Sequence, residues 1–179
     1  TPEGDLKPYE ANISLFSAMQ RTVAGGVDGL QFERFICAHT IMLALEGLPA
    51  IYVHSLLGTE NDRTGMAKTG HARSINRYKW QAMGLQDALD DPERHHRHVF
   101  DTMKHLIRIR RDQAAFHPNA TQYTLHFGNQ IFAFWRESLN RDQSIFALHN
   151  VSDQPQAIPL VELNLIATES WRDLIGGTV

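Results

Sequence analysis

Phe32, Phe35, Ile36, His39, Met42 and Leu43 recur at the three-and-four spacing of a helix with one buried stripe. Asp28 stands where such a helix needs a cap, Gln31 three residues on completes a capping box, and Gly47 followed by Pro49 closes the element. The next run, Pro49-Ala-Ile-Tyr-Val53, is rich in strand formers and too short for a helix, which predicts one buried strand. A helix followed at once by a buried strand is half of an α/β repeat, so this strand is expected to lie parallel to others outside this chain. The pattern then breaks. More than twenty residues to Arg77 carry Gly58, Gly65 and Gly70, the acids Glu60 and Asp62, and the arginines Arg73 and Arg77. Such a stretch is a poor core and a good rim, and a long polar loop at the carboxyl end of a buried strand is where α/β barrels and open sheets bind ligands.

Outside that centre the pattern changes period twice. Residues 1–8 are polar with two prolines and read as extended loop, and Tyr9–Gln20 as short helix or irregular. Tyr78–Leu89 is expected to be partly helical. Asp91-Pro92-Glu93 is a helix start, and Val99, Met103, Leu106, Ile107 and Arg110 share one face of a helix running to about Ala114. Arg108, Arg110 and Arg111 sit at its negative dipole end. From Thr121 the period is two: QYTLHF, IFAFWRE and SIFALHN predict three strands, joined at Gly128-Asn129 and at Asn140-Arg-Asp142. The weaker runs QAIPL and LNLIA, then SWRDLI, complete an antiparallel module. The break at Pro118-Asn119 divides the chain into residues 1–118, an α/β part, and 119–179, an all-β part.

Composition narrows the function classes. An apolar share of 42% over 179 residues supports a packed core. A formal charge of −3 gives no electrostatic footprint for nucleic acid or an anionic membrane. The best apolar stretch is interrupted by His39, Thr40 and Glu46, short of the roughly 18–20 residues of a membrane span, and no signal peptide is recognisable. The lone Cys37 can form no internal disulfide, so a reducing cytoplasm is the expected setting. The chain opens on Thr1 rather than methionine and stops just past a predicted strand, so a piece of a longer polypeptide is expected.

Several residues invite chemistry. His95, His96 and His98 with Glu93 could suggest a metal, but without a His-Glu-x-x-His pattern or a cysteine partner they read as solvent-facing, and no metal or cofactor is expected. His39 reads as a core histidine. Trp135 and Trp171 read as packing residues rather than sugar platforms. Glu60, Asn61 and Asp62 are either turn residues or part of a site. Arg73 and Arg77 are either solvated or ligand-binding.

The last choice is informed by a resemblance. Gly47-Leu-Pro-Ala-Ile-Tyr52 looks like the eighth-strand motif of the α-amylase superfamily. Tyr9-Glu-Ala-Asn12, Gly58-Thr-Glu-Asn-Asp62 and Arg73-Ser-Ile-Asn-Arg77 together resemble the sucrose phosphorylase subfamily, its glucosylglycerate phosphorylase-like members most closely. The resemblance covers nearly the whole chain and corresponds to the last third of such an enzyme. It implies the last elements of a (β/α)8 TIM barrel followed by a small antiparallel β domain, acting on a small sugar and phosphate by a retaining double displacement. The three catalytic carboxylates belong to earlier strands, so no catalytic residue is expected here, and the piece alone is expected to be inactive. Arg73 matches an arginine that pairs with a carboxylate and binds hydroxyls at the closed end of the donor-sugar subsite, a task suited to a planar, permanently charged fork. Tyr9 matches a loop tyrosine that helps switch between acceptor and phosphate. Glu10 stands where sucrose phosphorylases tend to carry glutamine, and Lys7 where they carry an acid that holds fructose; both departures count against sucrose, and the lysine favours an anionic acceptor such as glycerate. Arg77 reads as structural more than ligand-binding. The alternatives are an α-glucan hydrolase or transglucosidase of the same architecture, and a non-catalytic sugar-binding module. An isolated piece of this kind is expected to expose apolar faces and to self-associate.

Overall fold

The computed structural model describes residues 10–163 and 170–177. In chain order come a short helix α1 (Leu15–Ala18), a two-stranded antiparallel ribbon of β1 (Arg21–Thr22) and β2 (Gly26–Val27), and the helix α2 (Gln31–Ala44). Two short helices, α3 (Val53–Leu56) and α4 (Arg63–Thr69), precede a 3-10 turn at Ala72–Asn76. Helices α5 (Ala82–Asp90) and α6 (His95–Asp112) follow. The strands β3 (Thr121–His126), β4 (Ile131–Glu137) and β5 (Ser144–Asn150) then form an antiparallel sheet, and a 3-10 turn occupies Leu160–Leu163. Among the described residues no helix is long and apolar enough to cross a membrane.

The Pro49–Val53 strand does not form. Tyr52 has extended backbone, but Val53 already begins α3, and Tyr52 and Val53 are 51% and 54% exposed. An extended run becomes a strand only when a neighbour receives its backbone N–H and C=O groups, and no parallel pair occurs among the described residues. The capping box at Asp28 is also replaced. Asp28 accepts from the Leu30 N–H and pairs with Arg34, while the Gln31 side chain donates to the Phe16 carbonyl instead of turning back to the cap. At the far end Gly47 takes φ 87°, the left-handed geometry that stops a helix, and its N–H donates to the Pro118 carbonyl. Helix α6 starts four residues after Asp91, whose carboxylate holds the Glu93 N–H in the preceding turn. QAIPL forms no strand, and LNLIA lies outside the described residues beyond Leu163.

The chain clusters into two compact units, Thr1–Phe35 with Ile51–Phe100, and Ile36–Ala50 with Asp101–Val179. In the first, the Phe16 ring meets Phe35 edge-on at 5.1 Å and stacks on His95 at 4.7 Å. Leu57, Ile75, Ala88 and Val99 are buried in the same unit. Gly58 there has φ 57°, and a Cβ on it would stand 3.0 Å from a Val99 methyl, so both backbone and space demand glycine.

In the second unit the sheet has two unlike faces, because side chains alternate along each strand. Thr124, Phe134 and Ala147 form one cross-strand row, and Phe134 and Ala147 cluster with Ala44 and Phe116, with Leu45, Ile109 and Ile145 packed around them. Full burial of a side chain such as Phe134 contributes about 1.5–3 kcal/mol. On the other face Tyr123, Trp135 and Phe146 form a row, and Trp171 lies against Phe146 at 4.9 Å. Both tryptophans therefore pack, and both indole N–H groups are buried without a hydrogen-bond partner.

Two arginines hold this unit at the end of α2. Arg136 is fully buried and donates to the carbonyls of Ala44, His117 and Ala120. Arg110 donates to those of Leu43, Leu45 and Gly47, so it serves the end of α2 and not only its own helix end. Backbone carbonyls left over at a helix C-terminus are thereby satisfied by charge-assisted donors.

Candidate functional site

The rim-like stretch after Tyr52 is held by its own polar residues. The Asp62 carboxylate accepts from the Gly65 N–H at 2.6 Å and caps α4, while the Asp62 N–H donates to the Ile75 carbonyl at 2.7 Å. Buried Ile75 and the Thr69–Ser74 hydroxyl contact at 2.7 Å complete the seat of the 3-10 turn that carries Arg73. Asn61 fixes the segment that follows Glu10: its side-chain oxygen accepts from the Ser14 N–H at 2.7 Å, and its own N–H donates to the Ser17 hydroxyl at 3.0 Å. Asn61 and Asp62 thus act as turn and cap residues. Each is spent on holding the backbone.

These two anchored segments bring Arg73 to Glu10. The Arg73 Nε–H donates to Glu10 Oε1 at 2.7 Å, with side chains 51% and 36% exposed. Around the pair lies a concavity of about 210 Å3 lined by Glu10, Ala11, Asn12, Tyr52, Arg73, Asn76 and Arg77. The hydrogen bond from Arg73, helped by the charges of Arg73 and then Arg77, holds the Glu10 carboxyl below its ordinary range against a smaller effect of burial. Tyr52 Oη donates to the Asn76 carbonyl at 3.3 Å and closes one side. The volume is below the roughly 300–1,000 Å3 of complete small-molecule pockets, so this is one wall of a site.

Of the expected site residues, the structure brings Arg73, Glu10 and Arg77 together on this wall. Tyr9 and Lys7 lie outside the described residues. Tyr52, Asn76 and Asn12 were not assigned from sequence although they line the same wall. Asn76 and Asn12 stand inside the motifs that carry Arg73 and Glu10, which is the signal that could have found them. Tyr52 was hidden by its reading as a buried strand residue.

The histidine cluster differs from its sequence reading. His98 is exposed, but His95 and His96 are half-buried. His95 Nε2 contacts the Gly58 carbonyl at 3.0 Å and His96 Nδ1 the Leu57 carbonyl at 2.7 Å, so both rings clamp the turn after α3. Their centroids are 3.9 Å apart, and burial followed by the nearby His95 and Arg94 charges lowers the His96 pKa, against the Leu57 carbonyl and Glu60. The same turn is closed by Thr59, which accepts from Trp80 Nε1 at 3.1 Å and contacts His54 Nδ1 at 3.2 Å. No group of three or more His, Cys, Asp or Glu side chains able to hold a metal occurs among the described residues.

No family model matches the sequence. A glucosylglycerate phosphorylase from Allomeiothermus silvanus is 34% identical over 171 residues, which is 96% of this chain and 30% of that protein. One from Spirochaeta thermophila is 38% identical over 152 residues, 85% of this chain and 25% of that protein. A sucrose phosphorylase from Bifidobacterium adolescentis is 25% identical over 96% of this chain and 30% of its own length. This chain therefore spans only about 30% of the length of the curated relatives it matches. A sucrose 6F-phosphate phosphorylase structure from Thermoanaerobacter thermosaccharolyticum gives a TM-score of 0.46 at 19% identity over 65% of this chain and 24% of that one, too low to carry an argument.

Proposed function

We propose, from the premise that this chain is a relative of the glucosylglycerate and sucrose phosphorylases, that it is the C-terminal part of a retaining glycoside phosphorylase. The whole enzyme transfers a glucosyl unit between a small α-glucoside, sucrose or glucosylglycerate, and phosphate. Residues 1–118 close a (β/α)8 barrel and residues 119–179 belong to the C-terminal β domain. The nucleophile, the acid-base residue and the third carboxylate lie on the part of the enzyme outside this chain. What this chain supplies is the wall holding Arg73, with Glu10 and Arg77 beside it and Lys7 and Tyr9 on the approach.

The observation that carries this reading is the Arg73–Glu10 pair on an incomplete concavity. Arg73 there sits with a carboxylate partner on a polar wall of sub-pocket size, which suits a guanidinium that orients sugar hydroxyls once the opposite wall is present. The non-catalytic module is disfavoured by exposed apolar residues on the would-be strand: Tyr52 and Val53 are 51% and 54% exposed. A self-sufficient module is expected to cover such residues.

Assaying the full-length polypeptide with sucrose and with glucosylglycerate, each with and without inorganic phosphate, tests the proposal. Phosphate-dependent release of glucose 1-phosphate from either glucoside is the expected result, with no turnover by residues 1–179 alone. Glucose release at the same rate without phosphate would instead support the hydrolase reading.

A further inference from the structure

Three consecutive residues of the turn after α3 are each held by a heterocycle. His96 Nδ1 lies 2.7 Å from the Leu57 carbonyl oxygen, His95 Nε2 lies 3.0 Å from that of Gly58, and Trp80 Nε1 donates to the Thr59 hydroxyl at 3.1 Å. A carbonyl oxygen only accepts, so each histidine nitrogen that meets one carries a proton. In the neutral rings this fixes opposite tautomers, Nε2–H on His95 and Nδ1–H on His96. Phe16 stacks on His95 at 4.7 Å, Trp80 stands edge-on to His96 at 5.0 Å, and the two imidazole centroids are 3.9 Å apart. A first added proton on either ring keeps both anchoring N–H groups and makes one of the two bonds charge-assisted. A second puts like charges on half-buried rings in contact, where water screens them poorly.

We infer that His95 and His96 form a one-proton latch on the turn Leu57–Thr59: it stays closed while the pair carries at most one added proton, and opens when a second drives one ring off its carbonyl. Burial is the largest influence on His96 and disfavours its charge, the His95 and Arg94 charges act in the same direction, and the Leu57 carbonyl and Glu60 oppose them. Arg94 is itself paired with Asp91 at 3.3 Å. From α3, His54 Nδ1 meets the Thr59 hydroxyl at 3.2 Å, and burial disfavours charge on that ring too. Opening the turn frees the stretch that leads to Asn61 and Asp62, whose bonds to Ser14, Ser17 and Gly65 hold the candidate wall. The latch works in the same way whatever the whole enzyme catalyses.

Hydrogen exchange of the full-length polypeptide, read by mass spectrometry on residues 57–62 and corrected for intrinsic rate, tests the latch. In that segment the amides of Leu57, Gly58, Thr59, Asn61 and Asp62 are all hydrogen-bonded. Wild-type protection is expected to fall on the order of tenfold between about pH 7.5 and about pH 5. His95→Gln and His96→Asn each set an amide N–H near the nitrogen they replace and leave only one imidazole to titrate. Each is expected to stay within about twofold of wild type at the higher pH and to lose most of the fall. Protection that stays level in wild type, or that falls as steeply in both variants, would overturn the inference, because opening would then not require two charges. Should a variant fail to fold, nitrogen NMR of wild type labelled at histidine decides. Both rings fully charged while the segment is still protected would overturn the latch, and one ring still neutral in the protected state supports it.

Discussion

Arg73 and Arg136 are the same side chain put to opposite uses. Arg136 is fully buried, has no carboxylate among its described partners, and satisfies the carbonyls of Ala44, His117 and Ala120. Burial, then the neighbouring Arg110 charge, lowers its pKa against a small opposing effect of Glu46, yet a guanidinium stays charged in water-poor surroundings. Its Nε has no hydrogen-bond partner. Arg73 is half-exposed, stands on a 3-10 turn seated by Ile75, and pairs with the Glu10 carboxylate. A guanidinium locked on backbone carbonyls is committed to the fold, because leaving would strand the Ala44 and Ala120 acceptors, while that of His117 keeps the Ala120 N–H. One on an exposed carboxylate can trade that partner for a ligand at little cost to the rest of the chain.

The largest effect should come from breaking the buried member. Arg136→Ala leaves the Ala44 and Ala120 carbonyls without their donor and opens a void beside Phe116, a combination of mechanisms that typically costs about 3–5 kcal/mol. Arg136→Lys rescues little, since one ammonium cannot span acceptors arranged for a planar fork. Chemical denaturation of the two variants measures both statements, and an unchanged midpoint would show that the carbonyls find other partners. A second effect follows in the same unit. His149 is buried, its Nδ1 lies 3.1 Å from the Phe132 carbonyl, and burial lowers its pKa despite the Phe132 and Thr40 backbone groups. The unfolded chain then binds the proton more readily, so stability is full above the ordinary histidine value of about 6.5 and is lost as pH falls from there toward the folded value. Denaturation midpoints between about pH 7.5 and 5 should fall in wild type and fall less steeply in His149→Gln, where His54 and His96, also lowered by burial, still contribute.

The sequence made one of these arginines visible and hid the other. The strands β3 to β5 were legible because alternation and the turns at Gly128 and Asn140-Arg-Asp142 are local signals. The same alternation puts Arg136 on the Phe132–Phe134 face, where it looks like a lapse in the pattern. Its carbonyl partners are 16 to 92 residues away, and no local rule reports them. Pro49–Val53 failed for the converse reason: strand propensity was present, but pairing partners are a property of other segments. Their place in a first helical turn predicts His95 and His96 to face solvent, yet carbonyls 37 and 39 residues distant recruit them. Arg73 was legible only through the surrounding motif, because one arginine in a polar loop carries no periodic signal.

The smallest structural effect is expected at Arg73, and that smallness sharpens the contrast. Arg73→Lys keeps the charge and the stem but loses the planar fork. Ile75, the Asp62 N–H and the Thr69–Ser74 hydroxyl contact still seat the turn, so the denaturation midpoint should stay at the wild-type value. In the full-length polypeptide the same substitution should lower kcat/KM for phosphorolysis by about a hundredfold, because a misoriented sugar loses near-attack geometry. Paired measurement of midpoint and kcat/KM on one preparation decides the matter. If stability and activity fall together, Arg73 is a second Arg136, committed to the fold. If the midpoint holds while turnover drops, the exposed guanidinium serves a ligand more than it serves the fold.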